Sequence, residues 1–153
     1  MSNRELKVEQ SEDNGKTKLS FSGSIDEDFK FDTISIDKDD VIVDFEEITL
    51  LNSCGIREWI KFVTSLGGSK KITYVNCPSV VVMQMNMVKG FLSENAQVES
   101  FYAPYYDEDL DEEVKILIKS ADVVDGKAPE VKSDSGKPLE FDGIEKTYFK
   151  FLA

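Results

Sequence analysis

The chain holds 153 residues, with 30 acidic against 18 basic side chains, a formal net charge of −12 and no histidine. That balance excludes a phosphate-tracking surface of clustered Lys and Arg, so neither nucleic acid nor an anionic membrane is expected as a partner. Its 41% hydrophobic residues can bury a core without metal or disulfide staples, and no apolar run approaches the ~20 residues that span a bilayer. The first residues, MSNRELKVEQSEDNGK, lack the apolar segment of a secretory signal. Cys54 and Cys77 stand apart without a disulfide spacing, which fits a reducing cytoplasm, the expected location. The missing histidine removes the commonest acid–base group and a frequent zinc ligand, which lowers the expectation of an enzyme.

Glu5–Gln10 and Thr17–Gly23 read as two strands joined at Asn14-Gly15, a pair suited to the positive φ of a tight hairpin. The acidic stretch Ser24–Asp40 offers Phe29, Phe31, Ile34 and Ile36 as anchors. Val41–Ile48 begins as a near-continuous apolar run, the pattern of a strand buried on both faces. Ile56, Trp59, Ile60 and Val63 recur on one helical face, with Leu66 a turn further and Gly67-Gly68 as the stop. Lys71–Val75 is the next strand, Val80–Leu92 a second helix with Val81, Met85, Val88 and Leu92 on one face, and Val98–Tyr102 a short strand. Beyond Tyr106 come an acidic turn (Asp107–Glu113), a strand at Val114–Lys119 and a polar loop over Asp122–Lys137. A short strand at Pro138–Phe141 and a final helix over Ile144–Leu152 complete the chain. Alternating strands and helices after a hairpin predict an α/β fold, a mixed β-sheet covered by helices, over residues 1–100. Residues 101–153 are expected to form a small β-rich appendage ending in a helix and docked by its aromatics.

The most informative segment is VIVDFEEITLLNSCGIREW, Val41–Trp59, in which a strand runs into Asn52-Ser53-Cys54-Gly55 and then an amphipathic helix. Asn and Ser are good N-caps, and the orphan amides of a helix start attract anions. Gly55 on the first turn lets another group approach closely. Cys54 has three open readings: a contact residue, a packing thiol, or a reactive thiol with its pKa lowered by the helix start. Arg57 and Glu58, beside Trp59, are further contact candidates.

This segment resembles the STAS domain of bacterial anti-sigma-factor antagonists, which carries Asp-Ser-Ser/Thr-Gly-hydrophobic after a buried strand. Asn52-Ser53-Cys54-Gly55-Ile56 stands in that place, and LSFSGSI (Leu19–Ile25), VIVDF and VNCPSVVVMQMNMVKGF extend the likeness over roughly Lys7 to Phe101. The resemblance implies a non-catalytic regulatory module that binds another protein, a serine kinase/anti-sigma factor or a different regulator, through this turn and the following helix. It implies no cofactor. In that family the residue before the glycine accepts a phosphoryl group, which ends binding by adding charge at the contact surface. Here that position is Cys54 and the preceding acid is Asn52, so the usual switch is expected to be lost, Ser53 being the one hydroxyl left in the turn.

Two tail segments, Tyr105–Leu110 and Lys132–Leu139, are similar to the two knuckles of a zinc ribbon without its cysteines. The ligand positions would be Asp107, Leu110, Lys132 and Ser135, an unsuitable set, so no metal is expected. Packing by Tyr102, Tyr105, Tyr106, Phe141, Tyr148, Phe149 and Phe151 would take its place. The alternative is an acidic scaffold or assembly protein that binds through this C-terminal unit and the Met-bearing helix of Met83, Met85 and Met87. An enzyme reading would rest on Cys54 or on Asp44, Glu46 and Glu47.

Overall fold

The computed structural model describes residues 6–28, 31 and 34–152. Glu5 and Phe29, read above as part of the first strand and as an anchor, lie outside the described residues. Strands β1 (Lys7–Asp13) and β2 (Lys16–Ile25) form an antiparallel hairpin whose turn holds Asn14 at φ 51° and Gly15 at φ 78°. Two consecutive residues with positive φ give the turn that matches strand twist, as the Asn-Gly pair predicts. β2 then pairs in parallel with β3 (Asp40–Leu51), β3 with β4 (Lys71–Val75), and β4 with β5 (Ala96–Val98). The result is a five-stranded mixed sheet in the order β1-β2-β3-β4-β5.

Helix α1 (Ser53–Ser65) links β3 to β4, and α2 (Ser79–Met87) leads toward β5. One sheet face carries Leu19, Phe21, Val41, Val43, Phe45, Ile72 and Tyr74, all buried. Trp59 of α1 lies over it, with the rings of Phe21, Phe31, Phe45, Phe62, Tyr74 and Phe91 at 5.3–6.1 Å. The opposite face is half-exposed: Ile42 and Asp44 are partly covered, while Glu46 is open. β3 is therefore buried on one face only, which corrects the two-face expectation; its apolar run reflects partial cover of Ile42 rather than a second helical layer.

Other boundaries also move. α2 stops at Met87 because Val88 leaves helical geometry at φ −112°, ψ 110°, and Gly90 follows at φ 96°, so the helix does not reach Leu92. The stretch expected as one strand from Val98 divides at Glu99, between β5 and β6 (Ser100–Asp107), which belongs to a second sheet. With β7 (Glu112–Lys119), β8 (Val131–Lys132) and β9 (Pro138–Phe141) it forms a four-stranded sheet, β7-β6-β9-β8, with antiparallel neighbours. β8 lies inside the region read as loop. The final helix is only α3 (Glu145–Tyr148) and a 3₁₀ turn at Lys150–Leu152, parted where Phe149 leaves helical angles. Among the described residues no helix is long and apolar enough to cross a membrane.

The tail is stitched to the first sheet by backbone and side chains. Cys77 N donates to Ser100 O (3.2 Å), and Tyr102 N donates to Cys77 O (2.8 Å). Asn86 on α2 donates to Tyr148 O and accepts from Phe151 N. Phe101 packs edge-on against Phe149 and Phe151. Across the junction the Tyr102 hydroxyl donates to Glu46 (2.7 Å) and the Tyr148 and Ser79 hydroxyls lie 3.3 Å apart, while Tyr105 to Pro129 O (2.7 Å) and Tyr148 to Tyr102 O (2.5 Å) tie the tail to itself.

All five tyrosines hold their protons more tightly than a free phenol. Burial is the main cause for Tyr74, Tyr105 and Tyr148, and hydrogen bonds to Glu46 and Asp111 are the main cause for Tyr102 and Tyr106. Tyr102 and Tyr105 are pushed up to about 12. A raised folded-state pKa contributes stability that is complete below the unfolded value near 10 and lost as pH climbs through the folded value. Phenolate absorbance at 295 nm is therefore expected to stay small at pH 10 in the native protein, and stability to fall between pH 10 and about 12. Ordinary titration of most tyrosines at pH 10 would contradict these burials and hydrogen bonds.

Candidate functional site

The corner between β3 and α1 is built on Asn52. Its backbone is extended (φ −112°, ψ 171°), its Oδ1 accepts from Gly55 N (2.8 Å), and its carbonyl accepts from Ile56 N (2.9 Å). Its own N–H donates to Ile25 O (3.1 Å), and its Nδ2 donates to Glu27 Oε2 (2.8 Å). One side chain thus caps α1 and ties it to the segment leaving β2. An aspartate could make the cap but could not donate to Glu27, and would set two carboxylates face to face. The amide holds the Glu27 carboxyl below its ordinary pKa. Asn52→Ala is expected to cost about 1 kcal/mol, the usual loss on removing such a cap, measured by urea unfolding. Asn52→Asp is expected to lower the melting temperature at pH 7 and to recover as pH falls toward 4, where the carboxylates neutralise each other's repulsion by protonation.

Gly55 is not on the surface. A Cβ there would lie 2.1 Å from Ile25 O, 2.4 Å from Ile25 C and 2.6 Å from Asp26 N. The glycine seats the first turn of α1 against the end of β2, which removes it from the set of side chains a partner could touch. Ser53, Cys54 and Arg57 are exposed and lie within about 100° of one another around the helix, while Glu58 is half-buried. Asn52 is also exposed. Of the six contact candidates, the structure brings five to this corner and its flank and places Gly55 behind them.

Cys54 is exposed and Cys77 fully buried. The packing-thiol reading of Cys54 is therefore overturned, and packing is the role of Cys77, whose thiol burial pushes up from its ordinary pKa. A thiol reagent is expected to label one cysteine per native chain and the second only in denaturant; rapid labelling of both in the native protein would contradict this burial.

Two residues missed in the sequence join the corner. Lys61 follows Arg57 by one turn, is exposed, and reaches Glu58 at 3.4 Å. The i, i+4 spacing of two cations was a readable signal. Glu27 had none, since its link to Asn52 is tertiary. Together Arg57 and Lys61 place a basic strip on a strongly acidic chain.

Of the three carboxylates considered for acid–base work, Glu47 is exposed and the other two are engaged elsewhere. Asp44 accepts from Asn76 Nδ2 (3.2 Å) and from Glu46 N (2.9 Å) and faces Lys18 at 3.8 Å; Glu46 accepts the Tyr102 hydroxyl. In the tail, Asp107 Oδ1 accepts from Asp109 N (3.0 Å) and Leu110 N (3.3 Å), closing an acidic turn. Leu110, Lys132 and Ser135 are exposed. Among the described residues no group of three or more His, Cys, Asp or Glu side chains could hold a metal ion.

No family model matches the chain, and no curated protein matches it. Among solved structures, it is similar to a crystal structure of an anti-sigma factor antagonist from Mycobacterium paratuberculosis. The identity is 18%, over 48% of this chain and 68% of that chain, with a TM-score of 0.40. The α/β architecture rests on the strand order and helix packing described above, not on that likeness.

Proposed function

We propose that this chain is a non-catalytic regulatory module that binds another protein through the corner Asn52-Ser53-Cys54 and the outward flank of α1 carrying Arg57 and Glu58. The observation that carries this reading is the simultaneous exposure of Ser53, Cys54 and Arg57 on a corner held rigid by Asn52 and Gly55. A pre-organised surface costs little ordering on binding. Residues 1–100 form the STAS-like part and residues 101–153 a smaller unit docked on it. The partner is a regulator of the anti-sigma-factor/kinase kind, met in the cytoplasm. Cys54 offers no hydroxyl for a serine-kinase phosphoswitch, so binding is constitutive or governed otherwise.

The tail is a metal-free counterpart of a zinc ribbon. Asp111 (φ 52°) and Gly136 (φ 84°) each follow the second ligand position of a knuckle, and Lys137 joins the two turns through Asp109 at 3.0 Å. Cysteines placed together at 107, 110, 132 and 135 are expected to bind one zinc ion, read with a cobalt(II) thiolate spectrum.

A second reading, the acidic scaffold, is favoured by Met83 and Met87, exposed by 50% and 72% and one helical turn apart beside the tail. Affinity capture with Cys54→Arg and with the double variant Met83→Glu/Met87→Glu separates the two. Loss of the captured protein with the first, and retention with the second, is expected; the reverse pattern selects the scaffold.

A further inference from the structure

β7 is one edge of the second sheet, without a further strand beside it among the described residues, eight residues long and with sequence EEVKILIK. The backbone groups of Ser100, Tyr102 and Pro104 on β6 are used on the side away from β7: Ser100 O by Cys77 N, Tyr102 N by Cys77 O, and Pro104 O by Asp142 N. The intervening residues of β6 therefore bond to β7 at Val114, Ile116 and Ile118, their register partners at Tyr105, Ala103 and Phe101. That leaves the N–H and C=O groups of Glu113, Lys115, Leu117 and Lys119 pointing outward along an unpaired edge. Such an edge is a template for another strand.

The strand's own sequence fits that template when reversed. We infer that β7 pairs antiparallel with β7 of a second copy about a twofold axis at Ile116, joining two four-stranded sheets into one of eight strands. In this register the outward residues meet as Glu113 with Lys119 of the second copy and Lys115 with Leu117 of the second copy, each twice. Both members of each pair present free backbone groups, as a ladder requires. On the other face, Val114 meets Ile118, and Ile116 meets Ile116, across the axis. Val114 and Ile116 are half-buried in the single chain, and Leu117 is 46% exposed, so the pairing covers apolar surface on both faces. A shift by two residues in either direction breaks the Glu–Lys matches.

Glu113 has a further reason to accept a cation. It stands beside Asp142, whose carboxyl it holds above the ordinary pKa, and one ammonium, Lys115 at 2.7 Å, serves both. Lys119 of a second copy adds the missing positive charge. The overall charge of −12 per chain opposes association at long range, so moderate salt strengthens the dimer by screening that repulsion. An interface of one strand pair lies at the small end of specific contacts, and its dissociation constant falls in the range where ~1 µM to ~1 mM protein spans the transition.

Sedimentation equilibrium of the full chain over that range is expected to rise from the mass of one chain to that of two. Leu117→Pro removes an outward N–H that the single chain does not use, so it is expected to remain monomeric while its far-ultraviolet spectrum and melting temperature match wild type. Ile116→Cys in a Cys54→Ser background places two thiols across the axis at a non-hydrogen-bonded pair, within disulfide reach. It is expected to cross-link at least tenfold faster than Leu117→Cys in the same background. A chain monomeric at the highest concentration, a dimer indifferent to Leu117→Pro, or equal cross-linking at 116 and 117 would each overturn the inference.

Discussion

Gly55→Ala is expected to destabilise the protein by about 3 kcal/mol, the upper end of ordinary overpacking losses. Helix propensity alone has the opposite sign, since alanine in place of glycine inside a helix gains about 1 kcal/mol. The position decides. The new methyl would sit 2.1 Å from Ile25 O, against backbone that is itself held by the Asn52 N–H. No rotamer change can relieve that contact, so α1 must lift from the end of β2 or the Asn52 bonds to Ile25 and Glu27 must break. Urea unfolding of Gly55→Ala against wild type measures it; a variant as stable as wild type would show that the close seating of α1 on β2 is not required. Gly55→Arg, which a surface reading would treat as a clean probe of binding, is expected to disrupt the fold outright.

The second large effect concerns Trp59. Its ring is fully buried among six aromatic neighbours, and its Nε1 donates to the Tyr74 hydroxyl (3.1 Å), which donates in turn to Phe91 O (2.6 Å). Trp59→Ala removes the centre of that cluster and is expected to cost about 4 kcal/mol, within the range for buried aromatic truncations. Tyr74→Phe keeps the ring but strands the indole N–H and the Phe91 carbonyl, each a buried polar group that costs about 1–3 kcal/mol without a partner. Trp59→Phe leaves the Tyr74–Phe91 bond intact. Because the two residues share one hydrogen bond, the double variant Trp59→Phe/Tyr74→Phe is expected to lose less than the sum of the single losses. Additive losses would show that the Trp59–Tyr74 bond contributes nothing beyond packing.

Local signals carried much of this fold. Asn14-Gly15 announces its hairpin because only a few residue types accept positive φ in succession, and Lys71–Val75 shows its strand through alternation alone. Gly67, at φ 79°, ends α1 where the sequence places the stop. The end of α2 was not readable, because Val88 fits the apolar helical face as well as it fits extended backbone. The break at Glu99 was hidden for a similar reason: Val98–Tyr102 looks continuous, and only the competition between two sheets divides it. At the candidate site, the N-cap follows from residues 52–55 themselves, whereas the exposure of Cys54, one of three readings left open, depends on which face of α1 meets the sheet. The burial of Gly55 and the Asn52–Glu27 bond depend on where β2 ends, some 30 residues earlier in the chain, and no local pattern encodes that meeting.

The same separation guides the choice of probes. Asn52 and Gly55 shape the corner, and their variants are expected to report stability; Ser53, Cys54 and Arg57 face outward, and under the proposed function their variants are expected to report binding. Cys54, the exposed thiol beside a buried Cys77, accepts a photoactivatable cross-linker on the unaltered chain. After illumination in extract of the native cells, a cross-link from Cys54 to one protein is expected, lost when Arg57→Glu is introduced. No cross-link from Cys54, together with a strong one from Met87→Cys in a Cys54→Ser background, would contradict the corner as the docking surface.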